Sequence, residues 1–191
     1  MLFRSYRRET DVARRAAELL SRNRLVGWFQ GRMEFGPRAL GCRSILADPR
    51  FAENRDRVND AVKFRENWRP FAPSVLLEKA GRYFQDFKPS PYMILSFWAD
   101  KAHAPEIPAV IHVDNSCRVQ SVERGTNARY YALLEEFENL TGVPVVMNTS
   151  FNLKGDPIVC SPKDAIQTFY TSGLDDLVIG DFVVSKKQPE R

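Results

Sequence analysis

Residues 25–50 read LVGWFQGRMEFGPRALGCRSILADPR, and the alternation inside this stretch decides the fold class. LVGWFQ, residues 25–30, is an apolar run of strand length, and residues 44–47 read as a second strand. Between them Gly31, Gly36, Pro37 and Gly41 interrupt regular structure. A glycine-rich, arginine-bearing segment leaving a strand end sits where open α/β sheets present their ligands.

Working outward, residues 11–21 place Val12, Ala13, Ala16, Ala17, Leu19 and Leu20 on one helical face, with Thr10 or Asp11 as N-cap. On the other side, residues 51–62 read as a polar helix, and Pro70 and Pro73 forbid a helix interior through residues 67–73. A strand resumes at residues 74–77, and residues 92–99 are aromatic and β-rich. Residues 109–114 and 118–122 predict a hairpin across Asn115 and Ser116, with Arg118 beside the turn.

Asn127 caps a helix over residues 128–140 that ends at Gly142, followed by a strand at residues 143–147. Asn148-Thr149-Ser150-Phe151-Asn152 then leaves that strand's end. Ser161, Pro162 and Asp164 form a helix start of capping-box type, with Gly173 as the C-terminal stop, and residues 176–184 predict a last strand. The expected class is α/β: an open, twisted, mostly mixed sheet with helices packed on it, in a single domain.

The chain's 191 residues are 43% hydrophobic, enough for one well-buried core. No window has the length and apolarity of a membrane helix, and MLFRSYRRETD lacks the apolar centre of a secretion signal, so a cytoplasmic protein is expected. Cys42, Cys117 and Cys160 are odd in number and widely spaced; with His103 and His112 they suggest neither a disulfide framework nor a protein-held metal. Twenty-eight Lys and Arg against twenty-four Asp and Glu give a net charge of +4, suited to anionic ligands without separating nucleotide from nucleic acid.

Arg38 and Arg43 lie among Gly36, Pro37 and Gly41, where backbone approaches a ligand closely and guanidinium forks take phosphate oxygens bidentately. The plainer reading pairs them with Glu34 and Asp48 on a solvated surface. Lys63, Arg65 and Arg69 form a second basic cluster around Trp68; Arg118 stands on the predicted hairpin; Asn148, Thr149, Ser150 and Asn152 offer amide and hydroxyl donors. His112 in VIHVD reads as a sheet residue with hydrogen-bonded ring nitrogens. Cys42 and Cys117 stand beside arginines, a placement that lowers a thiol pKa, yet packing accounts for both. Trp28, Trp68 and Trp98 read as core residues.

The ordered set GRMEFGPRALGCRSILADPR, VKFRENWRPFAPS, CRVQSV and NTSFNLKGDPIV, spanning most of residues 28–160, resembles the C-terminal, YrdC-like domain of O-carbamoyltransferases of the NodU/CmcH type. The resemblance implies a domain over residues 1–191, with its motifs within about residues 25–184, that binds carbamoyl phosphate and ATP with Mg²⁺ and forms a carbamoyl-adenylate. By motif, Arg38, Lys63 and Arg69 would be catalytic and clamp the phosphate of carbamoyl phosphate. Arg118 would neutralise ATP phosphates, Ser150 would donate a hydroxyl, and Arg43, Asn148 and Asn152 would line the site. Mg²⁺ would be held mainly by nucleotide phosphates.

An N-terminal actin-like ATPase domain, absent from these 191 residues, completes the transfer in that family, so a partner domain or subunit is expected. Cys42 stands where such proteins more often carry Asn or His, and residues 114–117 lack the expected glycine. Two other readings stand beside the first: an RNA- or nucleotide-binding YrdC-like module, and a catalytically silent partner subunit.

Overall fold

The computed structural model describes residues 5–64 and 69–186. Arg65 and Trp68 of the second basic cluster, and Asn67 of the expected turn, lie outside the described residues. Ten strands run in chain order among those described: β1 Ser5–Arg8, β2 Val26–Phe29, β3 Arg43–Ala47, β4 Ala72–Leu76, β5 Ser96–Trp98, β6 Ser116–Arg118, β7 Gln120–Val122, β8 Val145–Ser150, β9 Asp176–Ile179 and β10 Phe182–Ser185. Helices α1 Val12–Ser21, α2 Asn54–Val58, α3 Ala80–Tyr83, α4 Ala128–Thr141 and α5 Pro162–Thr171 accompany them.

Eight strands form one mixed sheet in the order β1-β10-β9-β2-β3-β8-β4-β7, with β2–β9 and β4–β7 parallel and the other neighbours antiparallel. The class is the mixed α/β domain that the alternation of periods implies. β2, β3 and β4 are buried along their whole lengths, as strands covered on both faces must be. α1 and α4 pack against each other, burying Ala16, Ala17 and Leu20 from one and Leu133, Leu134 and Phe137 from the other.

Local chemistry explains the element ends. The Asp11 carboxylate accepts from Arg14 N–H, Asn127 Oδ1 from Tyr130 N–H, and Ser161 and Asp164 form a reciprocal capping box. Gly142 closes α4 at φ 77°, a left-handed conformation that glycine adopts without a Cβ penalty. Pro73 sits near the start of β4, one residue before pairing to β7 begins at Ser74, where its missing N–H is tolerated.

Several expectations are corrected. The hairpin over residues 109–122 does not form: Pro108–Val110 is a 3₁₀ turn, β6 pairs with β5, and β7 joins the main sheet. A proline and a tight turn outcompete the β-propensity of residues 109–113. His112 therefore lies outside the strands, and its buried Nε2 has no hydrogen-bond partner among the described residues. The strand in residues 92–99 shrinks to β5, and residues 176–184 are two strands turning at Gly180, φ 55°. β8 begins later than expected and carries Asn148, Thr149 and Ser150 on the strand itself. β1 had no sequence signal, its four residues being exposed at the sheet edge. Trp98 is half-exposed rather than core, whereas Trp28 is fully buried.

Residues 51–62 form only the short α2 and then a π-turn, Asn59–Lys63, that ends in Phe64 at φ 44°. Gly173 donates to the Ala61 carbonyl at 2.7 Å, and a Cβ at that glycine would lie 2.7 Å from Ala61 Cβ. This close approach, rather than a role as cap of α5, which ends on Ser172, accounts for the glycine. Among the described residues no helix is long and apolar enough to cross a membrane.

Candidate anion-binding site

The glycine-rich segment between β2 and β3 is held from both sides. Glu34 Oε1 accepts from the N–H groups of Leu40 at 2.7 Å, Cys42 at 2.7 Å and Arg43 at 3.3 Å. Buried side chains of the sheet take the opposite edge: Asn148 Nδ2 donates to Ala39 O, Gln120 Nε2 to Leu40 O, and Trp28 Nε1 to Gly41 O. Gly41 N–H donates to Ser44 Oγ, and its φ of 102° with the Tyr130 ring against it admits no side chain. Glu34 is thus not the surface ion-pair partner of the plainer reading; its carboxylate organises main chain. Asp48, fully buried, pairs with Arg50 rather than with Arg38 or Arg43.

Arg38 projects from this segment into a cavity of ≈ 80 Å³ lined with Arg118 of β6, Asn148, Thr149 and Ser150 of β8, and Pro70 to Ala72 leading into β4. Among the described residues neither Arg38 nor Arg118 has a carboxylate partner, and Arg118 Nε is buried without an acceptor. Burial first, and then the charge of Arg38, push the Arg118 guanidinium below its ordinary pKa. Two cations beside each other with no counter-charge favour a bound anion. The cavity adjoins a cleft of ≈ 540 Å³ that shares Arg38 and Arg118 and adds the exposed apolar side chains of Phe35, Tyr92 and Ile94.

Lys63 is 6% exposed and lies beneath the strand end rather than in that lining. Its Nζ donates to Ser150 O at 2.6 Å, Asn152 Oδ1 at 2.8 Å, Asn152 O at 3.1 Å and Ser150 Oγ at 3.2 Å. The Ser150 hydroxyl itself donates to Asn152 Oδ1 at 2.6 Å. The structure therefore gathers Arg38, Arg118, Asn148 and Ser150 around one cavity, with Lys63 and Asn152 directly behind Ser150.

Two candidates are placed elsewhere. Arg69 lines a neighbouring notch with Arg55 and His112, on the far side of the shared Pro70 and Phe71. Arg43, 4% exposed, packs its guanidinium 3.6 Å from the Phe29 ring centroid and donates to the carbonyls of Gln30, Gly31 and Cys42. That guanidinium braces the segment and does not line the cavity. Sequence reasoning missed Gln120 and Ser74, which join Asn148 in a buried polar network. No sequence signal set them apart, because β7 reads Gln-Ser-Val and has no apolar run for a glutamine to interrupt.

A larger cavity of ≈ 590 Å³ lies between the segment after β8 and α5, where Met33, Ile158, Cys160 and Thr168 are among its walls. None of the anion-site candidates lines it, and of its two carboxylates Asp156 is exposed and Asp164 is engaged in capping α5. The small cationic cavity is the better site on chemistry, whatever the volumes. The thiols contribute no nucleophile there: burial, with Glu34 adding to it, pushes Cys42 up to about 11, and burial pushes Cys117 up to about 12. Among the described residues no three His, Cys, Asp or Glu side chains group as metal ligands.

Comparison with known proteins adds to this geometry. The family model described as Carbamoyltransferase C-terminus matches residues 17–186. The nodulation protein NolO of Bradyrhizobium diazoefficiens is 47% identical over 183 residues, covering 94% of this chain and 33% of that protein. The 3'-hydroxymethylcephem-O-carbamoyltransferase of Amycolatopsis lactamdurans is 40% identical over 162 residues, covering 85% and 31%. Thus the chain spans about a third of the length of these curated relatives. Among solved structures, T. kodakarensis HypF superposes with a TM-score of 0.67 at 18% identity over 97% of this chain and 23% of that one. P. abyssi Sua5 complexed with L-threonine gives 0.65 at 15% over 88% and 46%. At those identities the likeness concerns the fold.

Proposed function

Because the chain belongs to the carbamoyltransferase C-terminus family, we propose that it binds carbamoyl phosphate and ATP and forms a carbamoyl-adenylate. The observation that carries this reading is the Arg38–Arg118 pair, set without a carboxylate partner among the described residues against the donors of β8. Arg38 and Arg118 take phosphate oxygens, and the Ser150 hydroxyl, which donates to Asn152 Oδ1 in the free chain, turns to the bound anion, with Asn148 holding the wall behind it. Lys63 acts through Ser150 and Asn152, fixing the strand end. Arg69 flanks the site from beyond Pro70 and Phe71.

In the reaction, water and carbamoyl phosphate yield carbamate and phosphate. A carbamate oxygen then bonds to the α-phosphorus of ATP as the bond from that phosphorus to its bridging oxygen breaks, and pyrophosphate leaves with the electron pair. This chemistry needs positioning and charge compensation more than proton transfer, which suits a site of fixed guanidiniums. Among the described residues the cavity lining carries no carboxylate, so Mg²⁺ would be held by the polyphosphate and water. The wide apolar cleft beside the arginines has room for the nucleoside. The acceptor hydroxyl and its pocket would come from the remaining length of such proteins or from a separate subunit, and a reaction drawing on ATP would suit a cytoplasmic protein.

The test is carbamoyl-phosphate-dependent exchange of labelled pyrophosphate into ATP. The intact chain should catalyse it, and Arg38→Ala and Arg118→Ala should each lower it by about tenfold to hundredfold, the worth of a charged hydrogen bond. No exchange at any Mg²⁺ concentration would remove the adenylate-forming step and leave a binding domain.

A further inference from the structure

We infer that Glu34 is a positioning residue for anion binding: its carboxylate clamps three main-chain amides and thereby holds Arg38 beside Arg118. The inference rests on the anion-site reading above and deepens it.

Glu34 and its acceptor duties enclose the six residues that end at Leu40, and Arg38 lies inside that closed loop. One oxygen, Oε1, receives the N–H groups of Leu40, Cys42 and Arg43. The carbonyls of Ala39 and Leu40 face the other way, to Asn148 and Gln120. Sheet side chains therefore anchor the segment's inner edge, and Glu34 anchors its outer edge. Arg38 itself is exposed and among the described residues carries no bond that would set its direction, and Gly36, at φ 121° in open space, adds none. Like charges repel, so without the clamp the segment relaxes by moving Arg38 away from Arg118. A guanidinium displaced by about 1 Å loses roughly tenfold to hundredfold in a step that depends on its placement. A sequence reader sees Glu34 as a counter-charge; the geometry makes it a main-chain clasp.

The experiment titrates the full chain with inorganic phosphate and with carbamoyl phosphate by calorimetry, alongside Arg38→Ala, Glu34→Ala, Glu34→Gln and Glu34→Asp. The amide of Glu34→Gln keeps an acceptor oxygen at full reach and should bind within about threefold of the parent. Glu34→Ala should bind roughly tenfold or more weakly. If Glu34→Ala does not fold, the shorter Glu34→Asp reads the same loss. Combined with Arg38→Ala, the Glu34 substitution should cost nothing further, because it acts through that arginine. Glu34→Ala or Glu34→Asp binding like the parent while Arg38→Ala binds weakly would overturn the clamp and spare the site. Equal binding by the parent and Arg38→Ala, or none by the parent, would overturn the site and the clamp with it.

Discussion

Lys63, the last residue of the π-turn, donates to the main-chain carbonyl of Ser150 at 2.6 Å, tying a helical segment to the end of the central strand β8. π-Turns concentrate at functional positions because their wider ring redirects a side chain. Replacing Lys63 by Met keeps the stem and removes the cation, leaving the buried acceptors of Ser150 and Asn152 short of a donor. Unfolding by guanidinium chloride should show a loss of about 2–4 kcal/mol, and pyrophosphate exchange should disappear. Unchanged stability would mean that water replaces the ammonium freely.

Gly41 and Gly36 both hold positive φ, but for different reasons. A Cβ on Gly41 would meet the Tyr130 ring at 2.2 Å, whereas one on Gly36 meets nothing within 4 Å. Gly41→Ala should cost about 3–5 kcal/mol in stability, strain plus a steric clash, and Gly36→Ala about 1–2 kcal/mol. Thermal unfolding of the two variants, compared at one pH, checks the ranking; equal losses would show that Tyr130 yields to the added methyl group.

The three thiols should separate cleanly by reactivity. Cys160 is exposed, Cys42 half-buried and Cys117 buried. At pH 8 iodoacetamide should add one group to the folded chain and three in denaturant, read by intact mass. The same burial predicts a pH dependence: both raised thiols stay protonated in the folded chain while the unfolded chain ionises near pH 9. Their contribution is complete below about pH 9 and is lost as pH rises toward about 11, so stability should fall across that window. Cys42→Ser should show a shallower fall, and an identical slope would remove Cys42 as its source.

Asp176 is fully buried, pairs with Arg24 Nε and accepts from Ser185 Oγ. Burial works against the Arg24 charge, yet this carboxylate outweighs it and leaves the guanidinium pKa raised. Asp176→Asn keeps the shape and removes the charge, and should destabilise by about 3 kcal/mol in equilibrium unfolding. A loss under about 0.5 kcal/mol would place the pair among ordinary surface contacts.

Fold class was legible because strand-length apolar runs mark β2 and β3, N-caps mark α1, α4 and α5, and a glycine stop ends α4. Where the reading failed, the competing cause was non-local. β1 is four exposed residues that become a strand only because β10 offers an edge. β7 looked like half of a hairpin, yet it is claimed by β4, forty-six residues earlier at Ser74↔Gln120. At the site, the motif arginines could be named but not sorted. Arg38 and Arg43 are five residues apart, one lining the cavity and the other packed on Phe29, a difference set by β2, which spacing does not report. Gln120 was missed and Glu34 was read as a counter-charge for the same reason: each holds main chain of the glycine-rich segment.

The segment between β2 and β3 is short in sequence, yet its scaffold is dispersed. Its peptide groups are gripped by Trp28, Glu34, Ser44, Gln120 and Asn148, which come from four strands and the segment itself. A protein engineer who copied residues 31–43 onto another sheet would transplant the arginines without their moorings, and would obtain a floppy basic loop. The transferable unit is a pattern of five side chains around a backbone trace, so homology searches keyed to the glycine motif will find recipients of the letters faster than recipients of the site.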